Sequence, residues 1–171
     1  MSESSVRVLA VHPGALGDVI LFGRLLERMD AHVTLLAVAG RGDLLTGLGV
    51  TDASLAFDAL PMQELFTDEP PGRCRLAREL GEHDRLVSCY ATGSRLPELR
   101  LAAMCSATDA CFLPIRPGRS VDGHLLDLWA DMTGLTADRP PAAWPVPASW
   151  QRAADDALTA CGADPGRPIF L

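Results

Sequence analysis

The chain has 171 residues, 22 acidic against 15 basic, and a formal net charge of −7. An acidic surplus of this size argues against nucleic-acid binding, which depends on neutralising phosphates. All 15 basic residues are Arg, and neither Lys nor Asn occurs. A P-loop NTPase or a Schiff-base enzyme needs a Lys, so this chain alone is neither.

The N-terminus lacks the basic-then-apolar pattern of a signal peptide. No apolar run reaches the roughly 20 residues that span a bilayer. The five Cys (74, 89, 105, 111, 161) are odd in number and show no CxxC spacing. They read as buried thiols of a reducing cytoplasm, and no His, Cys or acidic pair has metal-ligand spacing.

Arg7–His12 forms a short, nearly continuous apolar run, as expected of a strand covered on both faces. The turn Pro13-Gly14-Ala15-Leu16-Gly17 follows. Helical spacing then runs from Asp18 to Met29 through Val19, Ile20, Phe22, Leu25, Leu26 and Met29. His32–Val38 reads as a second buried strand, Arg41–Leu48 as a short helix and Ala53–Phe57 as a weaker strand. Residues 58–72 look irregular. Arg73–Glu82 reads as a helix, Arg85–Tyr90 as a fourth strand, Arg95–Cys105 as a helix and Ala110–Ile115 as a fifth strand. A helix over Asp122–Thr133 stops at Gly134, a suitable C-cap.

Alternating strands and helices predict an α/β fold, a Rossmann-like doubly wound parallel sheet over residues 1–139. Pro140, Pro141, Pro145 and Pro147 mark a stiff linker over 140–149. A helix over Trp150–Cys161 and an apolar stretch at Pro168–Leu171 read as the start of a second domain, 150–171, cut short.

Ligands of parallel α/β sheets collect beyond the carboxyl ends of the strands. The segment Gly14-Ala15-Leu16-Gly17-Asp18 belongs at that edge. Asp18 at the helix N-terminus is either a general base or a helix cap. The Gly14-x-x-Gly17 spacing is not the GxGxxG of dinucleotide sites. His12 either orients substrate or satisfies backbone. Arg95, Arg116 and Arg119 fit an anionic ligand or a solvated surface. His124 fits a ligand contact or a cap. His32 and His83 read as surface residues. Trp129, Trp144 and Trp150 read as packing anchors and Cys89 as a core thiol.

The stretch from Val11 to Met29, with its G-x-x-G-D loop, resembles the opening of glycosyltransferase family 9, the ADP-heptose:lipopolysaccharide heptosyltransferases. Arg85–Arg95, Gly123–Leu135 and Arg167–Leu171 resemble later segments of the same N-terminal half. In two places the chain departs from the family pattern: Phe22-Gly23-Arg24 stands where a Pro is frequent, and His12 stands where the family carries a basic residue.

The resemblance implies the N-terminal half of a GT-B fold, the half that holds the acceptor. It implies an inverting transfer with Asp18 as general base, and Gly14, Ala15, Leu16, Gly17, Arg95, Arg116, Arg119 and His124 near the acceptor. It implies a nucleotide-sugar donor such as ADP-heptose as a substrate, a cell-envelope glycolipid or saccharide as acceptor, and no cofactor or metal. The 171 residues alone are then expected to be inactive. The expected place is the cytoplasm, with access to the inner face of the membrane, and the expected association is with a C-terminal half or with itself. The competing reading is a non-catalytic Rossmann-like binding or assembly module.

Overall fold

The computed structural model describes residues 5–116, 123–135 and 143–164. The chain divides into two compact units, Met1–Pro141 and Ala142–Leu171.

Among the described residues, the first unit has five strands: β1 (Arg7–His12), β2 (His32–Ala37), β3 (Ala53–Ala56), β4 (Arg85–Ser88) and β5 (Asp109–Phe112). They form one sheet in the order β3-β2-β1-β4-β5, and all four pairings are parallel. The helices are α1 (Leu16–Leu26), α2 (Arg41–Gly47), α3 (Arg75–Leu80), α4 (Arg95–Met104) and α5 (Leu125–Thr133). This is the doubly wound α/β arrangement that the alternation of elements predicts.

Strand order explains composition. Central β1 is buried from Val8 through His12 because a sheet neighbour lies on each side and a helical layer on each face. Its side chains alternate between the two layers. Leu9 and Val11 join Leu36, Leu65, Leu76, Leu86, Leu101 and Met104 in one core cluster, toward α3 and α4. On the opposite face, α1 packs against α2 and α5. Phe22 of α1 and Trp129 of α5, both fully buried, stack edge-on there at 5.7 Å. Trp129 is therefore a core residue of the first unit.

The irregular stretch after β3 is organised by single 3-10 turns at Phe57–Ala59, Met62–Phe66 and Pro71–Arg73. Met62 and Leu65 anchor it in the core. Arg100, only 9% exposed, reaches from α4 and donates to the carbonyls of Glu64 (2.9 Å) and Glu69 (2.8 Å). Glu64 Oε2 in turn accepts the Leu76 N–H that opens α3.

Several boundaries move inward from expectation. Helix α1 ends at Leu26, and Met29 only closes the following turn onto the Leu26 carbonyl. Helix α3 is shorter at both ends, because Pro71 and Gly72 take a separate 3-10 turn and Gly81 has φ +71°. Strands β4 and β5 end early as their chains turn out over the carboxyl edge. His83, expected at the surface, is buried, with its N–H on the Cys105 carbonyl.

The second unit contains α6 (Ala148–Ala160). It begins two residues before the expected start, directly after Pro147 at the N-cap, where the fixed φ of −55° suits helix entry. No residue of α6 is buried, Asp155 and Asp156 included, so Trp150, expected as a packing anchor, is exposed, as is Cys161 after the helix, expected as a buried thiol. The expected strand at Pro168–Leu171 lies outside the described residues, as does Arg167. No helix among the described residues is long and apolar enough to cross a membrane.

Candidate functional site

The strand order reverses between β1 and β4. The chain winds outward through β2 and β3, then crosses to the other side of β1. Such a switch point leaves a crevice at the carboxyl edge of the sheet, because the two connections diverge from it. The turn after β1 and the turn after β4 are its two walls.

The first wall is Pro13–Asp18. The N-cap of α1 is Ala15, which has no side chain to cap with. Asp18 is the third residue of the helix, so it is not the N-cap. Its carboxylate belongs to the first turn, where the helix dipole favours negative charge. Asp18 is half-buried, and it forms no ion pair with any described residue.

The turn is gripped from two sides. The Gly14 N–H donates to His12 Nδ1 at 3.1 Å, and the Gly14 carbonyl accepts from Arg41 Nη1 at the start of α2. Arg41 follows a β2–α2 turn in which the Ala39 N–H donates to Asp58 Oδ1 at 2.9 Å, holding that carboxyl below the usual carboxylate range.

The two glycines of the loop differ. A Cβ at Gly14 would lie 2.5 Å from His12 Cε1 and 3.4 Å from Asp18 Oδ2, so only glycine fits between them. A Cβ at Gly17 meets nothing within 4 Å. Packing within the described chain thus explains Gly14 and leaves the space over Gly17 open.

His12 ends β1 with no exposed surface. Its ring lies 5.3 Å from Phe22 and 6.0 Å from Trp129. Burial pulls its pKa below 6.5, opposed by the Asp18 charge and by its own backbone carbonyl. Cys89, just past β4, is buried, and burial together with the charges of Cys111 and Asp18 pushes its thiol up.

The second wall is the β4 exit. Ser88 Oγ both accepts the Tyr90 N–H and donates to the Tyr90 carbonyl, each at 3.0 Å. The Tyr90 ring stacks edge-on against Phe57 at 4.9 Å. Ala91 takes φ +63°, a left-handed conformation that costs a non-glycine residue free energy and gathers at functional turns. Thr92 Oγ1 donates to the Leu113 carbonyl at 2.9 Å, and the Gly93 N–H donates to Glu98 Oε1 at 2.7 Å.

Between this wall and the β5 exit opens a cleft of about 450 Å³, within the range of small-molecule sites. Phe66, Tyr90, Thr92, Ser94 and Ile115 line it, with Cys89 at its floor. Phe66 is 63% exposed although Leu65 beside it is fully buried. Among the described residues, the lining carries no charged side chain.

The other expected residues sort as follows. Ala15 and Leu16 are exposed at the start of α1. Arg95 is the exposed first residue of α4, and Arg116 is exposed beyond β5. No hydrogen bond among the described residues joins either to Asp18. Arg119, with Pro117 and Gly118, lies outside the described residues. His124 caps α5, its Nδ1 accepting the Leu126 N–H at 3.2 Å. At the other end of α5, the Thr133 carbonyl accepts from Arg85 at the start of β4, so His124 belongs to the carboxyl edge.

Sequence reading did not reach Phe66, Ile115 or the Arg41 grip. Phe66 sits in a stretch without periodicity, and Arg41 stands 27 residues from Gly14.

No family model and no curated protein matches the chain. Among solved structures, a glycosyl transferase family 9 protein from Veillonella parvula DSM 2008 superposes with a TM-score of 0.60 at 16% identity. The superposition covers 95% of this chain and 52% of that one, so the chain spans about half the length of its structural relative. At that identity the likeness establishes the fold, and the fold is that of one half of the larger chain.

Proposed function

We propose that the chain is the acceptor-side half of a glycosyltransferase of the heptosyltransferase kind. It would transfer a sugar from a nucleotide-sugar to a cell-envelope glycolipid or saccharide. The observation that carries this reading is the position of Asp18. Its carboxylate is half-buried and without an ion pair among the described residues, at the switch point of a sheet that superposes on half of a glycosyl transferase.

In the proposed reaction an acceptor hydroxyl lies over the open surface at Gly17. Its oxygen attacks the anomeric carbon of the donor, and the bond from that carbon to the nucleotide diphosphate breaks. Configuration inverts, and Asp18 takes the hydroxyl proton. Arg95, Arg116 and Arg119 supply cations for acidic groups of the acceptor. The apolar cleft receives an uncharged part of it. Donor contacts belong to a second, C-terminal half.

The test pairs two measurements. Transfer is assayed in a protein that carries both halves, where Asp18→Asn lowers kcat by roughly 10²–10⁴-fold, the usual worth of a general base. Acceptor binding to the 171-residue chain is followed by NMR, where the same substitution leaves affinity within a few-fold. Full activity of Asp18→Asn refutes the reading.

A further inference from the structure

We propose that His12 is a positioning residue for Asp18: its neutral ring accepts the Gly14 N–H and thereby fixes the turn that carries the carboxylate. The inference rests on the reading of Asp18 given above, but its geometry stands apart from any substrate.

The turn has few other constraints. Ala15, the N-cap of α1, offers no side-chain bond. The Gly14 N–H is bonded to His12 Nδ1 at 3.1 Å, and the Gly14 carbonyl to Arg41. Asp18 Oδ2 and the His12 ring flank the one point a Gly14 side chain would occupy. Ring and carboxylate therefore lie on either side of the space a Gly14 side chain would fill.

An accepting Nδ1 requires the neutral ring with its proton on Nε2. Nε2 is buried and meets no partner among the described residues. What faces the ring is apolar from two sides: Phe22 of α1 and Trp129 of α5. Trp129 is itself pinned, donating Nε1–H to the Pro114 carbonyl at 2.8 Å, so the ring has no room to swing. The charged group acting on it is Asp18, and its own backbone carbonyl lies within reach. A second proton would fall on Nδ1. A proton there would face the Gly14 N–H donor to donor, break that bond and release the turn.

The whole 171-residue chain, labelled with ¹⁵N and ¹³C, tests this by NMR from about pH 8 to about pH 4. The expected result is an Nε2–H tautomer at neutral pH and a slowly exchanging Gly14 amide. Both should change with one shared midpoint below 6.5, the ordinary value for His. His12→Asn keeps an acceptor near the Nδ1 position, so Gly14 protection stays within about twofold and the midpoint vanishes. His12→Leu removes the acceptor, and protection falls about five- to tenfold.

A Gly14 amide indifferent to the His12 titration overturns the proposal, as does full protection in His12→Leu. Should that variant not fold, the wild-type titration decides by itself. None of these readouts uses transfer. An Asp18→Asn protein that remains fully active would sink the glycosyltransferase mechanism while leaving the grip of His12 on the turn intact.

Discussion

Alanine at position 14 and alanine at position 17 each add one methyl group to the same turn, with opposite expected signs. At 14 the new Cβ would sit 2.5 Å from His12 Cε1 and 3.0 Å from its Nδ1. The ring cannot retreat, because Phe22 and Trp129 stack on it at 5.3 and 6.0 Å. Overpacking of this kind costs about 1–3 kcal/mol. For a chain of this size that lowers Tm by roughly 3–10 °C. At 17 the methyl meets nothing within 4 Å and replaces a glycine in a helical turn. Restricting the unfolded chain there stabilises by about 0.4–1 kcal/mol. Thermal unfolding by circular dichroism and urea titration of the two variants beside wild type measure both effects. Gly14→Ala as stable as wild type, or Gly17→Ala less stable, refutes the packing argument. The more stable Gly17→Ala protein should also bind acceptor more weakly, since its methyl fills the opening beside Asp18.

Arg100→Ala strips the donor from the Glu64 and Glu69 carbonyls and should cost about 2 kcal/mol in urea unfolding. Hydrogen exchange should rise first over residues 62–74. Phe66→Ala, at an exposed side chain, should leave stability within about 0.5 kcal/mol while weakening acceptor binding to the cleft. His12 and His83 both have pKa values pulled below 6.5 in the folded state, chiefly by burial. The unfolded chain then binds more protons, so their contribution is complete above pH 6.5 and is lost as pH falls toward the folded values. Unfolding midpoints measured across that range should fall on acidification, and His83→Gln should flatten the slope.

Most of the fold was legible because β1 and β2 are short apolar runs flanked by turn residues, and α1 and α5 carry clean helical spacing. Their ends were less legible. Met29 continues the periodicity of α1, yet the chain turns three residues earlier. His83 looked like a surface residue because nothing local reveals that Cys105 and the end of α4 close over it. The G-x-x-G-D turn placed Asp18 at the carboxyl edge of the sheet, where the structure has it. It did not separate Gly14, which packing requires, from Gly17, which it does not. The cleft was invisible because Phe66, Tyr90 and Ile115 come from three separate stretches and share only the sheet edge.

The grip of Arg41 on the Gly14 carbonyl gives this loop a remote adjustment point. Arg41 lines no part of the cleft, yet it ties the β2–α2 turn to the one that bears Asp18. Lengthening residues 38–40, or losing the Asp58 carboxylate that holds Ala39, would loosen the hold of that turn on the Gly14 carbonyl. Divergence in that turn would then reposition the loop after β1 from a distance, with every residue of the loop itself unchanged.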